Sequence, residues 1–349
     1  MHFRHPKADL YIPDSCETVR AFDRVTHLGI VSHQDDLEIA AYHGIAECFR
    51  SDDRWFGGVV VTNGAGSPRK GPYEKYTDEQ MQDVRKQEQR KAAFVGEYGV
   101  MVQLGYPSSD VKANRKSDVT ADLLDILMAT KPQFVYLHNP ADRHDTHVAT
   151  FLRCLEALRS MPKDQRPEKV YGCEVWRKLD WLLAQDKEML KVDNYPHLIS
   201  ALLAVFDSQI SGGKRYDLAE EGLRRANATY FDSHTTDDTS LLTFARLRPL
   251  DGDRPALRVD EGHVELLGRH VVDRLDHAAE GILGLGHHDV ARPDRQHGLR
   301  IGPVHVVIVA LNGLVQQVRL SRLAACHGLA AHVARLQPSH VRLPFCMCE

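Results

Sequence analysis

A hydrophobic period that switches repeatedly between strand and helix spacing is what narrows the fold most. V-T-H-L-G-I-V (25–31) is a short apolar run that predicts a buried strand. Residues 36–49 then place Leu37, Ala40, Ala41, Gly44, Ile45 and Cys48 at helical spacing. G-G-V-V-V-T (57–62), V-M-V-Q-L (100–104), Q-F-V-Y-L-H (133–138) and K-V-Y-G-C-E-V-W (169–176) predict four more strands. Between them, a capping box at Thr77–Gln80 opens a long helix to about Tyr98. Residues 118–129, with Leu123, Leu124 and Leu127 inward, and residues 146–160 predict further helices. Apolar strands separated by amphipathic helices mean βαβ units. The expected class is α/β, a mostly parallel sheet with helices on both faces. Such sheets bind ligands beyond the carboxyl ends of their strands.

Two polar stretches fall at such ends. H-Q-D-D-L-E (33–38) follows the first strand, and H-N-P-A-D-R-H-D-T-H (138–147) follows the fourth. Catalytic zinc sites use three nitrogen or oxygen ligands and leave one position open. His33 and Asp36, three apart across a strand-to-helix turn, can face one ion. Asp35 is then placed to act on a water, and Glu38 falls in the first helical turn, where a carboxylate suits the dipole. Alone, the stretch is equally a polar turn whose Asp caps a helix. The second stretch offers three His and two Asp within ten residues. His147 could complete a His/Asp/His set, leaving His144 to contact substrate. Two such loops at one sheet edge favour a site over accident.

Other polar segments are less specific. T-N-G-A-G-S-P-R-K-G (62–71) lacks the spacing of a phosphate-binding loop and reads as a rim near the substrate. R-K-Q-E (85–88) on the long helix reads by itself as a solvated charged face. Residues 207–235 read as a polar lid or a surface loop, in which Lys214, Arg215 and His234 could meet an anionic or sugar substrate. No G-x-S-x-G elbow is present, so a serine nucleophile is not expected.

These residues resemble the PIG-L/LmbE-like family of zinc-dependent N-deacetylases. The family's His-Pro-Asp-Asp-x-Glu motif is matched by H33-Q-D-D-L-E38, and its Thr-x-Gly by T62-N-G64. Its Arg-x-x-Glu is matched by R85-K-Q-E88 with Ala92, its second His motif by H144-D-T-H147, and its Ser-Gln by D207-S-Q209. The resemblance implies a Rossmann-like fold and removal of an N-acetyl group from an N-acetylglucosamine-type amino sugar. It implies zinc, or another divalent metal such as Fe2+, held by His33, Asp36 and His147. Asp35 would be the general base, His144 would stabilise the oxyanion or help protonate the leaving amine, and Arg85 would contact substrate. Two positions depart from the pattern. Gln34 stands where the family has Pro, and Thr146 where it has an Asp that orients the His pair, a role open to Asp145 or Asp142. The remaining alternatives are a metal hydrolase of another amide or ester, and a non-catalytic sugar- or nucleotide-binding α/β protein.

Composition bounds partners and place. A net charge of -4 over 349 residues offers no electrostatic case for nucleic acid. The polar start M-H-F-R-H-P-K-A-D-L is unlike a secretory leader, and no run reaches the roughly 18 apolar residues of a membrane span. Seven scattered cysteines resemble neither a disulfide framework nor a zinc ribbon, so the expected location is cytoplasmic. Residues 1–250 read as the deacetylase domain. Residues 251–349 differ: they contain 11 Arg, no Lys, Tyr or Trp, and half of the 20 His. This tail reads as foreign to the domain, such as an out-of-frame translation, with a small appended domain as the alternative.

Overall fold

The computed structural model describes residues 1–113, 118–230, 234–248 and 250. All of them fall within one compact unit, Met1–Gly268. The tail from 251 onward lies outside the described residues.

Eight strands form one sheet: β1 Asp9–Tyr11, β2 His27–Val31, β3 Phe56–Thr62, β4 Val100–Tyr106, β5 Phe134–His138, β6 Lys169–Cys173, β7 Glu188–Lys191 and β8 Leu242–Leu247. The order is β1-β4-β3-β2-β5-β6-β8-β7. The five central strands are parallel, while β1, β8 and β7 add antiparallel edges. The described helices are α1 Thr18–Asp23, α2 Asp36–Ala40, α3 Tyr42–Cys48, α4 Asp78–Val95, α5 Ser108–Lys112, α6 Asp118–Thr130, α7 Asp145–Ser160, α8 Pro196–Ala204, α9 Asp207–Ile210 and α10 Tyr216–Ala228.

The central strands bury both faces, as parallel strands must when crossover helices cover them. On one face Phe56, Val60, Met101 and Tyr136 pack with Leu37, Ile45, Ala92, Ala93 and the α8 leucines. On the other, Leu28, Ile30, Val59, Val61, Val102, Val135 and Leu137 pack with Phe22, Leu123, Leu127, Leu155 and Leu158. Gly29 and Gly58 let α2 press onto the first face. A Cβ at Gly29 would lie 2.7 Å from Leu37 Cδ2, and one at Gly58 2.8 Å from Leu37 Cδ1.

Three differences from the sequence reading have local causes. The helix expected over 36–49 is two helices, because Ala41 leaves helical geometry at φ -106 and ψ 15. Its apolar stripe stays in phase across the break, so hydrophobic period alone shows one helix. The fifth strand stops at Cys173, where the Glu174 carboxylate turns the chain by accepting from Leu179 N, Phe244 N and Asn227 Nδ2 at 2.9, 2.8 and 3.0 Å. The polar segment 207–235 contains α9 and the 13-residue α10, whose buried stripe includes Tyr216, Glu220, Arg224 and Asn227.

The strand order reverses between β2 and β5. Their register pairs Ile30 with Leu137, so both strands deliver their following loops to the same level of one edge. That is the crevice in which a doubly wound sheet binds its ligand.

Candidate active site

Ser32, the first residue after β2, joins the two loops. Its N–H donates to His138 Nε2 at 2.9 Å, and its hydroxyl hydrogen-bonds with the Thr146 carbonyl at 3.1 Å and with the Thr150 hydroxyl at 2.8 Å. His33, Asp36 and His147 then converge. His33 Nδ1 lies 3.2 Å from Asp36 Oδ2 and 3.2 Å from His147 Nε2, and the latter pair also stand 3.2 Å apart. This near-equilateral triangle matches the edge between ligands placed about 2.0–2.2 Å from a tetrahedral zinc. Among the described residues, two groups of ligand atoms lie close enough together to hold one ion: His33 with His144 and His147, and Asp36 with His138 and His147.

Two neighbouring histidines belong to these groups, and each has a ring nitrogen engaged by a backbone N–H. His138 is fully buried and stacks on His147 with ring centroids 3.9 Å apart. Its Nε2 already accepts the Ser32 N–H, so that lone pair is occupied. Burial, with His147 alongside, lowers its pKa to about 3 and keeps it neutral. His144 caps α7, and its Nδ1 accepts the Thr146 N–H at 3.2 Å. The proton of neutral His144 therefore sits on Nε2. Burial first, then His147 and His33, lowers its pKa.

The partner of His147 is Asp142. His147 Nδ1 lies 3.2 Å from Asp142 Oδ1, an ion-pair contact between two fully buried side chains. Asp145 instead points outward and pairs with Lys112 at 3.0 Å. Of the two substitutes for the family's missing Asp, the fold thus presents Asp142. Burial alone would lower the His147 pKa, but Asp36 and Asp142 overturn it and raise it to about 10. A site that holds a proton this firmly between two carboxylates also suits a dication.

Asp35 stands beside the triangle in an unusual turn. Its φ is 86, a left-handed value for a non-glycine residue, which costs on the order of 1–3 kcal/mol. Side chains of α4 hold it there. Gln89 Oε1 accepts the Asp35 N–H at 3.2 Å. Arg85 donates to the Gln34 carbonyl and, at 2.9 Å, to Asp35 Oδ2. Burial raises the Asp35 pKa, with Arg85 opposing and Asp36 reinforcing. For Asp36, burial pushes up but His147 and His33 prevail and hold it well below the usual range.

Arg85 is not placed to touch a substrate. It is 1% exposed, and its guanidinium is committed to Asp35, Gln34 and, at 3.1 Å, Glu88. Glu88 also accepts from Ser208 N at 2.7 Å and Ser208 Oγ at 2.8 Å. The solvated charged face expected at 85–88 is therefore a buried network linking the Asp35 turn to α9. A sequence signal exists: Arg85, Glu88 and Gln89 are in phase with buried Met81, Ala92 and Ala93.

Glu38 does more than start a helix. It is fully buried, and its Oε1 accepts from Gln89 Nε2 at 2.9 Å and Tyr98 OH at 2.8 Å. Gln34, at the Pro position, donates through Nε2 to Gln103 Oε1 at 3.2 Å. Thr62 Oγ1 donates to the Ser32 carbonyl at 2.8 Å, so the T62-N-G64 segment braces the first loop. Of the lid cations, Lys214 is half-buried, Arg215 pairs with Asp217 at 2.7 Å, and His234 is exposed.

Residues 28–158 match the family model PIG-L, described as GlcNAc-PI de-N-acetylase. The chain is similar to this family over that span. Both His motifs and the α4 residues Arg85, Glu88 and Gln89 lie inside the matched span. No curated protein sequence matches the chain. Three solved structures share the fold. A conserved protein from Thermus thermophilus is 18% identical, with TM-score 0.51 over 66% of this chain and 98% of that one. GalB, the 4-carboxy-2-hydroxymuconate hydratase from Pseudomonas putida, is 16% identical, with TM-score 0.53 over 66% and 100%. N,N'-diacetylchitobiose deacetylase from Pyrococcus horikoshii is 15% identical, with TM-score 0.50 over 68% and 89%. At these identities the likeness establishes the Rossmann-like architecture and no more.

Proposed function

We propose that this chain is a metal-dependent hydrolase that removes an N-acetyl group from an amino sugar of the N-acetylglucosamine type. One observation carries the reading: three ligand atoms 3.2 Å apart, with a buried carboxylate beside them, at the switch point of the sheet. The family's description as a de-N-acetylase supports it. The fold by itself does not choose the reaction, since a hydratase shares it.

His33, Asp36 and His147 would hold the metal, with zinc favoured by the two nitrogens and one oxygen and Fe2+ an alternative occupant. When bound, a divalent ion lowers the pKa of a water and polarises an amide carbonyl. Asp35 acts as general base. Arg85 fixes its Oδ2, which leaves Oδ1 to take the proton, and burial moves its pKa up towards the range useful to a base. His144 donates through Nε2–H to the oxygen that gains charge as the carbonyl is attacked. The proton held on Asp35 then passes to the departing amine, which cannot leave unprotonated. Arg85 is a positioning residue rather than a substrate contact.

A cytoplasmic location goes with this reading. The described cysteines Cys16, Cys48, Cys154 and Cys173 are all free thiols, and no described helix is long and apolar enough to cross a membrane.

The test is acetate release from a panel of N-acetylated amino sugars, with and without chelator, alongside metal analysis. Asp35→Asn is expected to keep its metal and lose about 10²–10⁴-fold in rate. His147→Ala is expected to lose the metal. A wild type without stoichiometric divalent metal, or an Asp35→Asn variant of unchanged rate, would sink the proposal.

A further inference from the structure

Lys214 is a half-buried cation without an ion-pair partner among the described residues. Glycines 212 and 213 turn the chain after α9, with Gly213 at φ 90, and the Lys214 N–H is tied to the Gln209 carbonyl at 3.0 Å. Its ammonium lies 5.6 Å from the ring centroids of both Trp176 and Tyr216. Among the described residues no carboxylate comes within ion-pair distance of it, whereas Lys112, Lys178 and Lys191 each have one. Half-burying an ammonium against two aromatic rings without an anion costs desolvation that cation–π attraction only partly offsets.

The surroundings place this cation beside the reaction centre. Trp176 donates its backbone N–H to Asp142 Oδ2 at 3.3 Å, and Asp142 Oδ1 faces His147. Burial lowers the Lys214 pKa, with Asp35 and Asp36 opposing and Arg85 reinforcing. Tyr216 is buried and meets Trp176 edge-on, with centroids 5.5 Å apart and planes at 66°. The indole is held by this wedge yet remains 40% exposed. A rigid, half-exposed indole offers an apolar face to a ring, and the adjacent unpaired ammonium offers a charge to an anion.

We propose that Trp176, Lys214 and Tyr216 form a subsite that takes a negatively charged substituent, phosphate or carboxylate, carried by the amino sugar on the side away from its acetamide. This rests on the amino-sugar reading above and narrows it to anionic substrates. Trp176 receives the ring that bears the charge, Lys214 pairs with the charge, and Tyr216 sets the angle between them.

Binding separates this from catalysis. Deacetylated ligands, which cannot turn over, are titrated into metal-loaded wild type while tryptophan fluorescence is read. Glucosamine 1-phosphate and muramic acid supply the phosphate and carboxylate arms, glucosamine the neutral arm, and inorganic phosphate controls for a site that needs no sugar. The expected result is at least tenfold tighter binding of one anionic sugar than of glucosamine, weakening with added salt, with a signal that Trp176→Phe diminishes. Lys214→Met should remove the preference, and Lys214→Arg should retain most of it. Equal affinity for charged and neutral sugars, a preference that survives in Lys214→Met, or inorganic phosphate binding as tightly as the sugar phosphate would each overturn the subsite. Acetate release that ignores substrate charge would also overturn it and leave the hydrolase standing. Lys214-dependent binding without acetate release from any sugar would uphold the subsite and remove the hydrolase.

Discussion

Glu38→Gln is expected to stabilise the metal-free protein, and by more as the pH rises. Burial drives the Glu38 carboxyl from its ordinary 4.5 up to about 8, against the hydrogen bonds from Tyr98 and Gln89. Its Oε2 is buried without any partner. The folded state therefore holds a proton that the unfolded chain releases above about pH 4.5. This contribution is fully present below that pH and is lost as pH climbs through about 8. One proton corresponds to about 1.4 kcal/mol per pH unit, so wild type loses about 2 kcal/mol from this group between pH 6 and pH 8. Glutamine keeps an oxygen for Gln89 and Tyr98 and has no proton to lose. In a domain of this size, about 2 kcal/mol moves Tm by roughly 4–8 °C. The assay is thermal unfolding of both proteins at pH 6, 7 and 8 with chelator present, read by circular dichroism. Other titrating groups are common to both, so the variant-minus-wild-type difference isolates Glu38. A difference that stays constant or shrinks as pH rises would refute the buried-proton assignment.

Arg85→Met should destabilise the fold by about 3–5 kcal/mol in denaturant titrations, because it strands the buried Asp35 and Glu88 carboxylates. Arg85→Lys should recover little, since one ammonium cannot reach Asp35, Glu88 and the Gln34 carbonyl together. Asp142→Asn should keep the fold and lower metal affinity about 10–100-fold in chelator competition, because His147 loses its carboxylate partner. Gly29→Ala should cost about 1–3 kcal/mol and weaken metal binding as well, since the new methyl pushes on Leu37 and the helix that begins at Asp36. Unchanged metal affinity in that variant would show the donor triangle to be independent of α2 packing.

The central parallel strands were legible because their apolar runs are continuous and end in turn residues. That both His/Asp stretches follow strands of one parallel sheet predicted a common edge for them, whereas the strand order that sets β2 beside β5 is seen only in the structure. What the sequence concealed is burial carried by polar residues. Arg85, Glu88 and Gln89 occupy the inward stripe of α4, and Glu220, Arg224 and Asn227 that of α10. A hydrophobic-period reading scores both stripes as solvent-facing, although their positions keep helical phase. Ser32 and His138 were missed as braces for a different reason. The bond between them joins residues 106 positions apart, and nothing local marks it. The short edge strands β1 and β7 give too few residues for an alternation to register. The choice between Asp142 and Asp145 needed the path of the loop, which Asn139 sets by donating to the Cys173 carbonyl at 2.8 Å.

The sheet order also imposes a timetable on synthesis. β2 is flanked by β3, which follows closely, and by β5, which is made much later, so that His33 and His147 are 114 residues apart. At ribosomal rates of about 5–20 residues per second, the last donor of the triangle emerges roughly 6–23 s after the first. Through that interval an apolar strand at the heart of the future sheet keeps one edge open, the kind of exposure that recruits chaperones and invites mispairing. The pocket for a cation does not exist until the gap closes. On the proposed reading, metal acquisition would report that the nascent chain has completed its centre, and a truncation before residue 134 should leave an apolar edge with no capacity to bind metal at this site.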